Sequence, residues 1–134
     1  MRVVVDTNVL VSGLLNPRGA RGRIVDLILA GHVLLLVDDR ILAEYHEVLR
    51  RGRFGFKAKD VDALLASIDA TATHVHGTPL AGRLPDEDDE PFLEAAVAGE
   101  ADALVTGNVR HFPARLAQGI RIVSPATFVA EHRG

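Results

Sequence analysis

Apolar residues fall along this chain in two kinds of pattern, short unbroken runs and stretches at helical intervals. Residues 3–5 and 33–37 are apolar without alternation, the pattern of strands buried on both faces. Short strands are also expected at 103–105, a third apolar run, and at 120–123, where Arg121 interrupts the apolar residues. Between them the spacing is helical. A helix is expected from Thr7 or Asn8 to about Leu15, where Asn16-Pro17 stops it. Ile24, Leu27 and Ile28 have helical spacing up to Gly31. Ile41, Leu42, Tyr45, Val48 and Leu49 mark an amphipathic helix over 40–50, and Val61, Leu64, Leu65 and Ile68 mark another. Residues 77–85 hold two prolines and two glycines and read as a loop. A helix follows over about 88–98, and Ser124-Pro125 is a good helix start.

Strands separated by helices predict a single three-layer α/β/α domain over residues 1–134, with a mainly parallel central sheet. In such sheets ligands bind beyond the carboxyl ends of the strands. Asp6, Asp38 and Thr106-Gly107-Asn108 all follow expected strands and stand at such positions.

Composition changes this picture little. The 134 residues are 48% apolar and 25% charged, an ordinary globular balance. Without cysteine there are neither disulfides nor thiolate metal sites. The apolar opening is interrupted at Asp6 and Asn8, and Gly31-His32 breaks the stretch 27–37, so neither a signal core nor a membrane span is expected. The expectation is a soluble cytoplasmic protein. Charge is more informative. Of 18 acidic residues five are consecutive, at 86–90, and the other 13 are outnumbered by 15 Lys and Arg. A slightly basic body around one acidic segment suits a polyanion partner and a cation site.

Helical geometry sorts the acids. At about 100° per residue from Asp89, the side chains of Phe92, Leu93, Ala96 and Val97 form an apolar face centred close to Asp89 itself. Asp89 is therefore expected to point inward, where a lone carboxylate is costly. Asp88 and Glu94 fall away from that face, and all of 86–90 except Asp89 reads as a solvated helix start. Glu44 lies at the border of the apolar face carrying Val48, while Glu47 points to solvent. Asp6 either caps the helix after it or joins these acids. Three converging carboxylates repel one another unless a cation neutralises them. Oxygen ligands without cysteine or histidine spacing favour Mg²⁺ or Mn²⁺, ions suited to phosphoryl chemistry. Asn8, Thr106 and Asn108 could orient a carboxylate or water, or serve as caps and turns.

Several other features weigh less. Arg18, Arg21 and Arg23 are expected in one loop, and Arg50, Arg51 and Arg53 follow the Glu44 helix; both groups suit phosphate contact or a solvated surface. His74 and His76 would share a face of a short strand, with no third ligand in view. His111-Phe112-Pro113 reads as a packed turn. There is no hydrolase triad and no Walker loop.

The blocks VVVDTNVLVSGLL, ILAEYHEVL, DEDDEPFLEAA and ADALVTGNVRHFP, in this order, resemble the PIN-domain nucleases, especially the VapC-like toxins of bacterial toxin–antitoxin pairs. The resemblance covers essentially the whole chain. It implies a PIN-like fold and metal-dependent endonucleolytic cleavage of RNA. Asp6 and Asp89 would hold the Mg²⁺ or Mn²⁺ ion, Glu44 would complete the acidic triad, and Asn108, Thr106 and Asn8 would support them. It also implies a homodimer and a cognate antitoxin whose tail blocks the groove. Many members carry a fourth acid where this chain has Asn108. The exchange removes a negative charge and leaves open whether one ion binds or two. It therefore keeps a second hypothesis in play, a weak or inactive PIN-like module that binds RNA or protein. A third, a phosphoacceptor domain using Asp6 or Asp38, lacks a lysine at a strand end, since Lys57 and Lys59 are the only lysines.

Overall fold

The computed structural model describes residues 1–51 and 55–132. Arg53, one of the arginines after the Glu44 helix, lies outside the described residues. The elements run β1 (Arg2–Val5), α1 (Thr7–Leu15), α2 (Ala20–Leu29), β2 (Leu34–Val37), α3 (Asp39–Leu49), α4 (Ala58–Thr71) and β3 (Thr73–His74), then α5 (Glu90–Ala98), β4 (Ala103–Val105), β5 (Ile122–Val123) and α6 (Pro125–Glu131). The five strands form one wholly parallel sheet in the order β3-β2-β1-β4-β5, flanked by helices. This is the expected α/β/α architecture. Val4, Val5, Leu36, Val37, Leu104 and Val105 have no exposed surface, which explains their unbroken apolar runs.

Going from β1 the chain winds outward to β2 and β3 on one side, and β4 and β5 lie on the other. The order therefore reverses beside β1, and Asp6 and Thr106 leave adjacent strands at that point, with the Asp6 N–H donating to the Val105 carbonyl at 3.0 Å. Helix α5 lies against β1, β2 and β4, and α1 packs closely on α2.

Several local expectations are corrected. Helix α2 begins at Ala20, so Arg21 and Arg23 are helical and only Arg18 stays in the preceding turn. Helix α5 begins at Glu90, after a 3₁₀ turn over Glu87–Asp89. His76 lies beyond β3, so the expected His-x-His strand face does not form. Glu90 and Glu94, expected in solvent, are both 8% exposed. The Glu90 carboxylate accepts from the Leu84 N–H at 3.0 Å and from Arg83 at 3.1 Å, and Glu94 pairs with Arg40 at 2.9 Å. Each buried acid has a partner, Glu90 from the loop just before it and Glu94 from α3, which offsets the cost of taking it from water.

Candidate active site

At the carboxyl end of β1 the backbone turns directly into α1, and Asp6 is the N-cap of that helix. Its Oδ1 accepts from the Asn8 N–H at 3.3 Å, while Oδ2 accepts from the Thr106 hydroxyl at 3.0 Å. The two roles weighed for Asp6 are thus both filled, because a cap needs only one carboxylate oxygen. Thr106, fully buried after β4, also accepts the Asn108 N–H on its hydroxyl at 3.0 Å. Thr7, the first residue of α1, donates its hydroxyl to Glu44 on α3 in a short hydrogen bond. Glu44 is half-buried and Glu47 exposed, as the amphipathic pattern of α3 requires. Behind them Tyr45 is completely buried and donates its hydroxyl to the Val5 carbonyl, one residue before Asp6. Burial, then the charges of Asp6 and Glu44, push its hydroxyl well above the usual tyrosine range, so it remains a donor.

Asp89 reaches the same place from the 3₁₀ turn before α5 and is 9% exposed. Its Oδ2 lies 2.9 Å from His111 Nδ1. Burial first, and then the charge of Asp6, raise its carboxyl to about 6, with Asp86 adding to the rise and His111 opposing it. A cleft of about 320 Å³ joins these groups, lined by Asp6, Asn8, Glu44, Asp89, Asn108 and His111, with Thr7, Val48, Arg51, Asp86, Asp88 and Phe92. Asp6, Glu44 and Asp89 therefore come together with Asn8 and Asn108, and Thr106 stands behind them on Asp6. Asp38 does not join them. It caps α3 through the Ile41 N–H at 2.9 Å and pairs with Arg40 at 2.6 Å.

Two further residues line the cleft while keeping the character the sequence predicts: Asp86 is exposed, and His111 stands in a packed turn. Phe112, 2% exposed, anchors the 3₁₀ turn Val109–His111, and that turn carries His111 to Asp89. One ligand atom each from Asp86, Asp89 and His111 lies within 4.8 Å of the others. Carboxylates whose charges already conflict, with an imidazole beside them, are a donor set that fits a divalent cation.

The PIN domain family model matches residues 2–110. The chain belongs to the PIN-domain family. A PIN domain that spans β1 to the turn after β4 includes every residue of the cleft except His111, which follows it directly. An uncharacterized protein of Methanocaldococcus jannaschii, MJ1680, is 27% identical over 120 residues, covering 81% of this chain and 71% of that protein. Among solved structures, VapBC2 from Rickettsia felis bound to a DNA fragment from its promoter superposes with a TM-score of 0.59. That match covers 92% of this chain and 98% of the other chain at 16% identity, a likeness of fold. No helix of the described residues is long and apolar enough to cross a membrane.

Proposed function

We propose that this PIN domain is a metal-dependent endoribonuclease, the toxin of a toxin–antitoxin pair. The observation that carries the proposal is the convergence of Asp6, Glu44 and Asp89, from three separate elements, on one cleft of a PIN domain. Asp6 and Asp89 hold a divalent ion in this reading, with Glu44 completing the set directly or through water. When bound, Mg²⁺ or Mn²⁺ activates water and stabilises charge on the phosphate. Thr106 and the Asn8 N–H fix both oxygens of Asp6, and Thr7 fixes Glu44, so these carboxylates are aimed before substrate arrives. His111 does the same for Asp89 through Nδ1, 2.9 Å from the Asp89 Oδ2.

The fold likeness to VapBC2 supports a small cognate antitoxin as partner, while a homodimer and a cytoplasmic setting rest only on the resemblance of the sequence to VapC-like toxins. An antitoxin segment that neutralises the toxin would cover the acidic cleft.

Cleavage of a mixed-sequence single-stranded RNA tests the proposal, with Mg²⁺ or Mn²⁺ against EDTA, beside Asp6→Asn and Asp89→Asn. Metal-dependent cutting by the wild type, reduced at least a hundredfold in both variants, is expected. Asn108 supports a second reading, a PIN module that binds without cutting, because an amide stands where many members have an acid. Metal binding and RNA binding without cleavage by the folded, antitoxin-free protein would decide for it. Cutting that survives both substitutions would remove these acids from the site.

A further inference from the structure

Carboxylates dominate the cleft, and a nucleic acid strand carries the same sign of charge. Cations at its flank must therefore hold the strand wherever a neutralising ion does not. Among the described residues five arginines, Arg40, Arg50, Arg51, Arg83 and Arg121, are already held by carboxylates, Arg51 among them at the rim of the cleft. Arg18, Arg21, Arg23, Arg110 and Arg115 are exposed and have neither an ion pair nor a side-chain hydrogen bond among the described residues, and of these Arg21 and Arg110 stand beside the segment 107–111 that borders the cleft.

Arg21 is held in place by three glycines. A Cβ on Gly13 of α1 would stand 2.6 Å from the Arg21 carbonyl oxygen, so α1 and α2 touch backbone to backbone at this residue. A Cβ on Gly22 would stand 2.2 Å from the Pro17 carbonyl oxygen, which fixes the turn entering α2. The side chain then extends over the third glycine, Gly107, where an added Cβ would meet Arg21 Nη2 at 2.9 Å. Gly107 lies between Thr106, which holds Asp6, and Asn108, which lines the cleft. An unpaired guanidinium thus rests on the backbone one residue, about 3.8 Å of chain, from the cleft wall. Arg110 stands on the same segment, which forms a second hollow of about 500 Å³ from Gly107 to His111. Asn108 and His111 line both hollows.

We propose that Arg21, assisted by Arg110, binds backbone phosphates of single-stranded RNA and leads the strand from the acidic cleft across Gly107. The proposal rests on the nuclease reading and adds a direction to it. A guanidinium grips a phosphate through two parallel charge-assisted hydrogen bonds. Contacts of this kind position a strand without reading its bases. The missing Cβ of Gly107 leaves room for the guanidinium beside the chain.

RNA binding in an Asp6→Asn background tests this without cleavage. Affinity for a labelled single-stranded RNA of mixed sequence is measured against salt, with Arg21→Ala, Arg21→Lys, Arg110→Ala and Arg121→Ala added in turn. Arg121 precedes β5, at the opposite end of the parallel sheet, and serves as control. Arg21→Ala should weaken binding about tenfold at low salt and equally for unrelated sequences. The slope of log K against log salt should flatten by about 0.7 for each cation lost. Arg21→Lys should keep most of the slope, Arg110→Ala should follow Arg21→Ala in smaller measure, and Arg121→Ala should change nothing. An unchanged slope in Arg21→Ala, with its melting temperature intact, would overturn the proposal. So would loss of binding to a glutamate-rich peptide with RNA binding intact, which would assign the cations to a protein partner. Wild-type cleavage is assayed separately in metal. Cutting with no effect of Arg21 removes the strand path alone, whereas an Arg21-dependent slope without cutting keeps the path and removes the nuclease.

Discussion

At Asp89 burial and charge act in the same direction. Its carboxyl stays protonated up to about pH 6, whereas in the unfolded chain it ionises near 3.8. Between those values the folded protein binds the extra proton, so stability falls as pH rises through the window and stays reduced above it. The strain is of the order of 3 kcal/mol at most for this one residue. An amide has no charge to strain. In metal-free protein, Asp89→Asn should therefore melt close to wild type at about pH 4 and several degrees above it at about pH 7. Thermal melts in EDTA across that range measure the gap. If it does not widen with pH, burial and the charge of Asp6 do not raise the Asp89 carboxyl in the folded protein.

Among the elements, the joint between α1 and α2 sets the position of Arg21 and depends on two helical glycines. Glycine to alanine inside a helix ordinarily adds about 1 kcal/mol. At Gly22 the new methyl would lie 2.2 Å from the Pro17 oxygen, and backbone cannot yield as a flexible side chain can. Gly22→Ala should lose about 2 kcal/mol or more, and Gly13→Ala should shift the same way, both read as midpoints of urea unfolding. A stabilised Gly22→Ala would show that the turn entering α2 is free to move. Helix α2 is also where the pattern of apolar positions was least informative. Its first turn, Ala20 to Arg23, has no apolar stripe to announce it, whereas β1, β2, β4, α1, α3 and α4 were legible from runs and spacing. Asp89 was legible because it stands at the start of α5 in line with that helix's apolar face. Glu90 and Glu94 were not, since a helical wheel shows which way an acid points and not that Arg83 or Arg40 waits there. His111 and Asp86 escaped for a related reason. Asp86 reaches Asp89 through a local 3₁₀ turn in which its carbonyl accepts the Asp89 N–H at 3.1 Å, and His111 is brought there by tertiary packing around Phe112.

At the scale of the whole molecule the net charge is only −3, yet Asp6, Glu44, Asp86, Asp88 and Asp89 all face one cleft. The fold keeps these acids together by pairing other acids elsewhere: Asp38 and Glu94 share Arg40, and Glu90 is bound by Arg83. What remains in the cleft is negative charge poorly neutralised by the protein. A divalent ion that binds only the folded state stabilises it through RT ln(1 + [L]/Kd), about 2.7 kcal/mol at a hundredfold excess over Kd. For a domain of this size that corresponds to a rise in melting temperature of about 10 °C. Calorimetry with increasing Mn²⁺ should show such a rise for the wild type near neutral pH and its reversal by EDTA. Asp6→Asn and Asp89→Asn should respond far less. The order of stability for Asp89→Asn should then cross, with the variant melting above wild type in EDTA and below it in saturating Mn²⁺. A variant that gained as much from Mn²⁺ as the wild type would place the ion away from Asp89. One that was destabilised in EDTA as well would mean that Asp89 serves the fold itself.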